Sequence, residues 1–325
     1  QQLNSAGPST DSGSEGSAAI AGGPGGEGSA FMLRGNASVT MKDWVAGDVD
    51  LAMDPKAGTF DATGTLSAAK QMQFGDILAI QAQVSLTIEK NAPTQADAIV
   101  DFTAPRIAGK ITGTYDIPGH RLDGTANAHL THHWPLEAEW GQFRLLRHGR
   151  LDATVDNNVI KDVTGRVRFD AEVNGVSETP LLLEGTVEGA FDLEEDKVNG
   201  TATGAVTADF ILPTAAQGEV PETFTLLSGS TVRGTVTDNQ LAQVAMDAAL
   251  RYDREGAPFL NGTLSGAVYE VSTGELSGEG TFTLLKSLER STKNGEWTLR
   301  LMEGSEVTAK VTKNSLTEIG GSVTV

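Results

Sequence analysis

The chain has 325 residues, a formal net charge of −19, 38 glycines and no cysteine. An acidic surface repels phosphate backbones and anionic membranes, which excludes nucleic acid as a partner and disfavours an anionic lipid surface. The missing cysteines exclude a disulfide framework, a thiolate zinc site and a cysteine nucleophile.

Residues 1–30 are Gly, Ser, Ala, Pro and acid with almost nothing to bury, as in AGGPGGEGSA at Ala21 to Ala30. Such a composition predicts a disordered linker. The periodic GGxGxD pattern of calcium-binding nonapeptide arrays is absent from it. No basic region followed by an apolar core stands at the start, so the sequence shows no secretory signal. Opening on Gln1, the chain reads as a processed product or a piece of something longer.

From Phe31 onward the hydrophobic pattern has period two. RLDATV at Arg150 to Val155, RVRFDAEV at Arg166 to Val173 and SEVTAKVT at Ser305 to Thr312 alternate as half-buried strands do. Helical signals are confined to Asp76 to Ile80 and Leu284 to Arg290, each too short to be stable without packing. No apolar run approaches the ~18 residues of a transmembrane helix.

Internal similarity organises the chain. Gly109, Gly113 and Gly124 correspond to Gly185, Gly189 and Gly200, and again to Gly262, Gly266 and Gly278, each set in a hairpin-like segment. The following half opens with an aromatic residue in FRLL at Phe143, FTLL at Phe224 and WTLR at Trp297, then reaches Gly149, Gly229 and Gly304. Next, Val155, Asn158, Ile160 and Val163 match Val236, Asn239, Leu241 and Val244, and then Val311, Asn314, Leu316 and Ile319. A degenerate first copy covers about Gly47 to Thr103. The expected organisation is a linker over 1–30, a degenerate repeat over 31–108 and repeats over 109–184, 185–261 and 262–325.

The expected fold class is all-β: tandem antiparallel hairpin and meander repeats forming a long coiled sheet or β-solenoid, with a compact sandwich open for a pair of units. Each repeated asparagine is expected in a turn, because Asn tolerates positive φ and hydrogen-bonds its own backbone. Glycines four apart lie on one strand face, where they let another backbone approach or the sheet bend. An outer-membrane barrel would need a tall apolar band with aromatic girdles, whereas these strands pair Val and Leu with Gly, Ala and Thr.

Candidate chemistry is sparse. His129 and His133, sharing a face if they stand on one strand, are a candidate zinc or nickel pair that would have to recruit Glu137 or Glu139; loop residues beside Trp134 and Trp140 are the alternative. Asp48, Asp50 and Asp54, and Glu194, Glu195 and Asp196, offer oxygen ligands for weak calcium binding, or serve as solvated turns that keep edges from pairing. No nucleophile elbow, phosphate-binding loop, dinucleotide fingerprint or HExxH is present, and no carboxylate pair stands out. The expectation is a protein without enzymatic activity or cofactor.

The phrases GTLSGAVYEVSTGELSGEGTFTLLKSLE and NGEWTLRLMEGSEVTAKVTKNSLTEIGGSVTV resemble the β-repeat regions of very large bacterial proteins, some secreted and some associated with contractile injection systems. The resemblance implies a scaffold or passenger region at the bacterial cell surface or outside the cell, carrying no catalytic residue. Protein partners would meet an extended sheet, and edge strands would allow end-to-end association. A lipid-carrying β-groove would require a continuous apolar row, and an adhesin or carbohydrate binder would expose Trp134, Trp140 and Trp297 on one face.

Overall fold

The computed structural model describes residues 33–41, 45–54, 56–116, 119–174, 180–213, 222–241, 243–291 and 298–321. The segment 1–30 and Trp297 lie outside the described residues. Every element described is a strand: 22 belong to one antiparallel sheet and two form a separate hairpin. The two segments with helical hints are strand and turn instead. Ile77 and Ala79 are buried at period two, which fixes that stretch as a strand start whatever its helical propensity.

Two compact units divide the chain. The first takes the described residues up to Ala104, with Lys110–Thr125 and Val155–Val159. In it, β1 (Leu33–Met41), β2 (Val45–Asp54), β3 (Thr59–Ala68), β5 (Ile77–Glu89) and β6 (Ala92–Thr103) pair in that order, and β4 (Met72–Phe74) folds onto the start of β5. β7 (Ile107–Asp116) and β8 (Arg121–Leu130) begin or end here.

The second unit holds Pro105–Gly109, Ala126–Thr154 and the described residues from Ile160 onward. Its elements are β9 (Trp134–Ala138), β10 (Gly141–Leu145) and most of β11 (Arg150–Asp156) and β12 (Val159–Val173). Then come β13 (Leu181–Asp192), β14 (Lys197–Val206), β15 (Phe210–Ile211), β16 (Glu222–Leu226), β17 (Thr231–Val236) and β18 (Gln243–Arg254). The remainder are β19 (Ala257–Glu270), β20 (Glu275–Leu284), β21 (Leu288–Ser291), β22 (Thr298–Leu301), β23 (Glu306–Thr312) and β24 (Ser315–Gly320). The long strands run β12, β13, β14, β17, β18, β19, β20, β23, β24 as neighbours. The short hairpins β9–β10 and β15–β16 add to the far halves of β12 and β18.

Period two becomes a packed face. Along β11, Leu151, Ala153 and Val155 are buried and the residues between them exposed. Aromatics from the short hairpins fill the interior: Phe143 lies 5.4 Å from Phe169, and Phe224 lies 4.8 Å from Tyr252. Burial of each such ring is worth about 2–3 kcal/mol, which anchors the short hairpin to the strand it joins.

The glycine rows have a specific cause. On β13, Gly185 and Gly189 alternate with the buried Leu183, Val187 and Phe191, and face Gly204 and Gly200 on β14. A Cβ at Gly189 would run into the Asn199 carbonyl and stand 2.6 Å from the Gly200 Cα. The first unit repeats this at Gly113, where a Cβ would stand 2.6 Å from the Gly124 Cα. Two backbones therefore approach on the interior side with no room for a side chain between them.

Candidate functional site

The repeated asparagines do more than turn the chain. Asn239, at φ 65°, accepts the Val198 N–H on Oδ1 at 2.8 Å and donates Nδ2 to the Asp196 carbonyl at 2.7 Å. Asn314 does the same with the Leu276 N–H at 2.6 Å and the Gly274 carbonyl at 2.8 Å. Within the first unit Asn158 holds Leu122 and His120, and Asn91 holds Phe60 and Gly58. All four have positive φ, as expected of turn asparagines. Their side chains, however, do not bond their own turn: they reach back 31 to 43 residues to an earlier hairpin.

A second bond accompanies each one. The residue before the asparagine donates its N–H to a side chain one past the held apolar residue: Lys90 to Asp61, Asn157 to Asp123, Asp238 to Asn199 and Lys313 to Ser277. These acceptors were missed in the sequence, although a short polar residue follows Leu122, Val198 and Leu276 alike. The result is a clip, written four times, that ties a turn to the opening of an earlier hairpin.

The clips are also contacted from outside. Trp140 donates Nε1 to the Asn239 carbonyl at 2.9 Å, and the Pro213 carbonyl accepts the Asn314 Nδ2 at 2.7 Å. Within the first unit the Gly75 turn stands against the Asn158 carbonyl, 3.2 Å from where a Cβ would be. In each case a residue just past a short strand meets the clip that comes later in the chain.

The candidate histidines are separated by an element boundary. β8 ends at Leu130 and β9 begins at Trp134, so His129 is on a strand and His133 in the bend between strands. They share no strand face, because the chain changes direction between them. His129 instead stacks on His148, 6.2 Å between centroids, while the His133 Nδ1 accepts the Arg147 N–H at 3.4 Å. Among the described residues no group of three His, Asp or Glu is placed to hold a metal ion.

The acidic tips are engaged locally. Asp54 Oδ1 accepts the N–H groups of Lys56 and Ala57, and Asp192 Oδ1 those of Glu194 and Glu195. Asp48 accepts the Ser38 hydroxyl, and Glu195 pairs with Lys197 at 2.6 Å. Asp196 pairs with Arg106 and accepts the Trp134 Nε1–H, while the Arg106 guanidinium lies 4.8 Å over the Trp134 ring. Trp134 and Trp140 are buried, at 2% and 8% exposure.

Two hollows remain. A groove of about 450 Å³ crosses the exposed faces of β10, β12 and β13, with Leu182 between Gln142, Arg144, Asp170, Glu172 and Glu184. Arg144 and Asp170 bond across it in a bidentate pair at 2.9 and 2.5 Å. Inside, the space among Trp140, Phe143, Phe169, Leu183 and Leu241 is about 20 Å³, room for roughly one water.

These features define the chain as an all-β protein built on one large antiparallel sheet. Comparisons with protein families, with characterised proteins and with solved structures find no match to it.

Proposed function

We propose that this chain is a non-enzymatic repeat scaffold of a bacterial secreted or injection-associated protein, acting outside the cell or at its surface and meeting protein partners through its extended sheet. The observation that carries this reading is the recurrence of the asparagine clip in four places with the same donors and acceptors. Polar side chains that are repeated along a chain and consumed by internal bonds support a part whose task is to hold a shape. The secreted, bacterial address rests on the resemblance of its strand phrases to repeat regions of large bacterial proteins. Edge strands offer the route for end-to-end association.

The lipid-groove reading fares less well: it needs a continuous apolar row, which Gly185, Gly189, Gly200 and Gly204 interrupt on β13 and β14. Burial of Trp134 and Trp140 counts against an aromatic sugar-binding face. Native mass spectrometry of the purified chain tests the proposal. The expected result is the bare 34.0 kDa polypeptide and its multimers. A stoichiometric lipid adduct would replace the scaffold with a carrier.

A further inference from the structure

The groove across β10, β12 and β13 has a volume of about 450 Å³, within the ~300–1,000 Å³ of ordinary ligand sites. Strand register sets what lines it. Asp170 stands opposite Arg144 on β10 and Glu184 on β13, while Glu172 stands opposite Leu182, so these five share the outward face of the sheet. Arg144 in turn is opposite Pro135 on β9. The bidentate bond between Arg144 and Asp170 uses up one cation and one anion. Glu172, half-buried, and Glu184, exposed, have no cation paired with them among the described residues. They are diagonal neighbours on facing strands, about 7 Å apart. Leu182 adjoins both, opposite the first and two residues before the second, and is 38% exposed.

We propose that this groove docks an extended segment of a partner polypeptide through a lysine side chain, whose ammonium enters between Glu172 and Glu184 while its aliphatic stem lies on Leu182. An ammonium is a compact charge with three donors, suited to two carboxylates that approach from different strands. The Arg144 guanidinium instead grips a single carboxylate as a fork. A lysine stem covers apolar surface while its charged head stays in water, and Leu182 offers such a surface beside both carboxylates. Toward Pro135 the next charges, Arg144 and Asp170, are already paired. That arrangement suits a segment carrying one lysine among apolar residues, and not a free polyamine with several ammonium groups.

This inference deepens the scaffold reading and rests on it. The acetylated and amidated peptide AVKVA is titrated into the isotope-labelled full chain and followed by NMR, beside the same peptide with glutamine in place of lysine. Amide shifts are expected at Glu172, Leu182 and Glu184 with a Kd of about 1 mM. The glutamine peptide should bind about tenfold more weakly, the scale of two partly exposed ion pairs. Glu172→Gln combined with Glu184→Gln should cost the lysine peptide the same factor. Glu194→Gln combined with Glu195→Gln, at the acidic hairpin tip, removes as much charge and should leave binding unchanged. Equal losses from the two double variants, shifts spread over the acidic surface, or no saturable shift up to about 10 mM peptide overturns the proposal. Spermidine that displaces the peptide at concentrations below the peptide's own Kd assigns the groove to a free polyamine and also overturns it. A silent titration on a chain that native mass spectrometry shows as bare polypeptide overturns the groove alone, whereas a stoichiometric lipid adduct overturns the scaffold reading.

Discussion

Asn239 carries three constraints at once: a left-handed backbone, an acceptor for the Val198 N–H and a donor for the Asp196 carbonyl. Alanine fails all of them and leaves a buried N–H without a partner, so Asn239→Ala should cost about 3 kcal/mol in urea unfolding. Asn239→Gly restores the backbone freedom alone and should recover about 1 kcal/mol of that loss. Tyr269 is the opposite case. Its hydroxyl is buried with no hydrogen-bond partner among the described residues, and burial pushes its pKa up to about 12. Tyr269→Phe should therefore leave stability unchanged or raise it by up to about 1 kcal/mol. Between the ordinary tyrosine value of 10.0 and about 12, the unfolded chain sheds this proton while the folded chain keeps it. Fewer protons bound in the unfolded state mean that stability falls as pH rises through that window, and Tyr269→Phe should flatten the decline.

At the scale of the element, the paired glycines decide how closely strands meet. Gly189→Ala would press a methyl into the Asn199 carbonyl and the Gly200 backbone, which no rotamer can relieve. A loss of about 2–3 kcal/mol is expected in thermal or urea unfolding. Strand type was legible at this scale, since Leu151, Ala153 and Val155 alternate visibly. The clip was legible only in part: matched asparagines located it, but its partners are 31 to 43 residues away and nothing in local spacing names them. The surroundings of the histidines were not legible for a related reason: His129 meets His148, which stands in the turn before β11.

For the whole molecule the dominant long-range term is charge. A formal −19 on 325 residues makes the folded chain repel itself, a cost that mobile ions screen. Raising salt from about 10 mM to about 0.5 M should therefore raise the melting temperature, and a flat or falling response would show that local ion pairs such as Arg144 with Asp170 outweigh the net field.

The sequence by itself determined that the chain is all-β, that its strands have one buried face, and where glycine and asparagine recur, because period two and backbone exceptions are properties of neighbouring residues. Tertiary structure alone decided what those exceptions serve. The glycines make room for a facing backbone, and the asparagines hold distant hairpins. Each depends on which strands become neighbours, a choice made by packing over distances that no local pattern records.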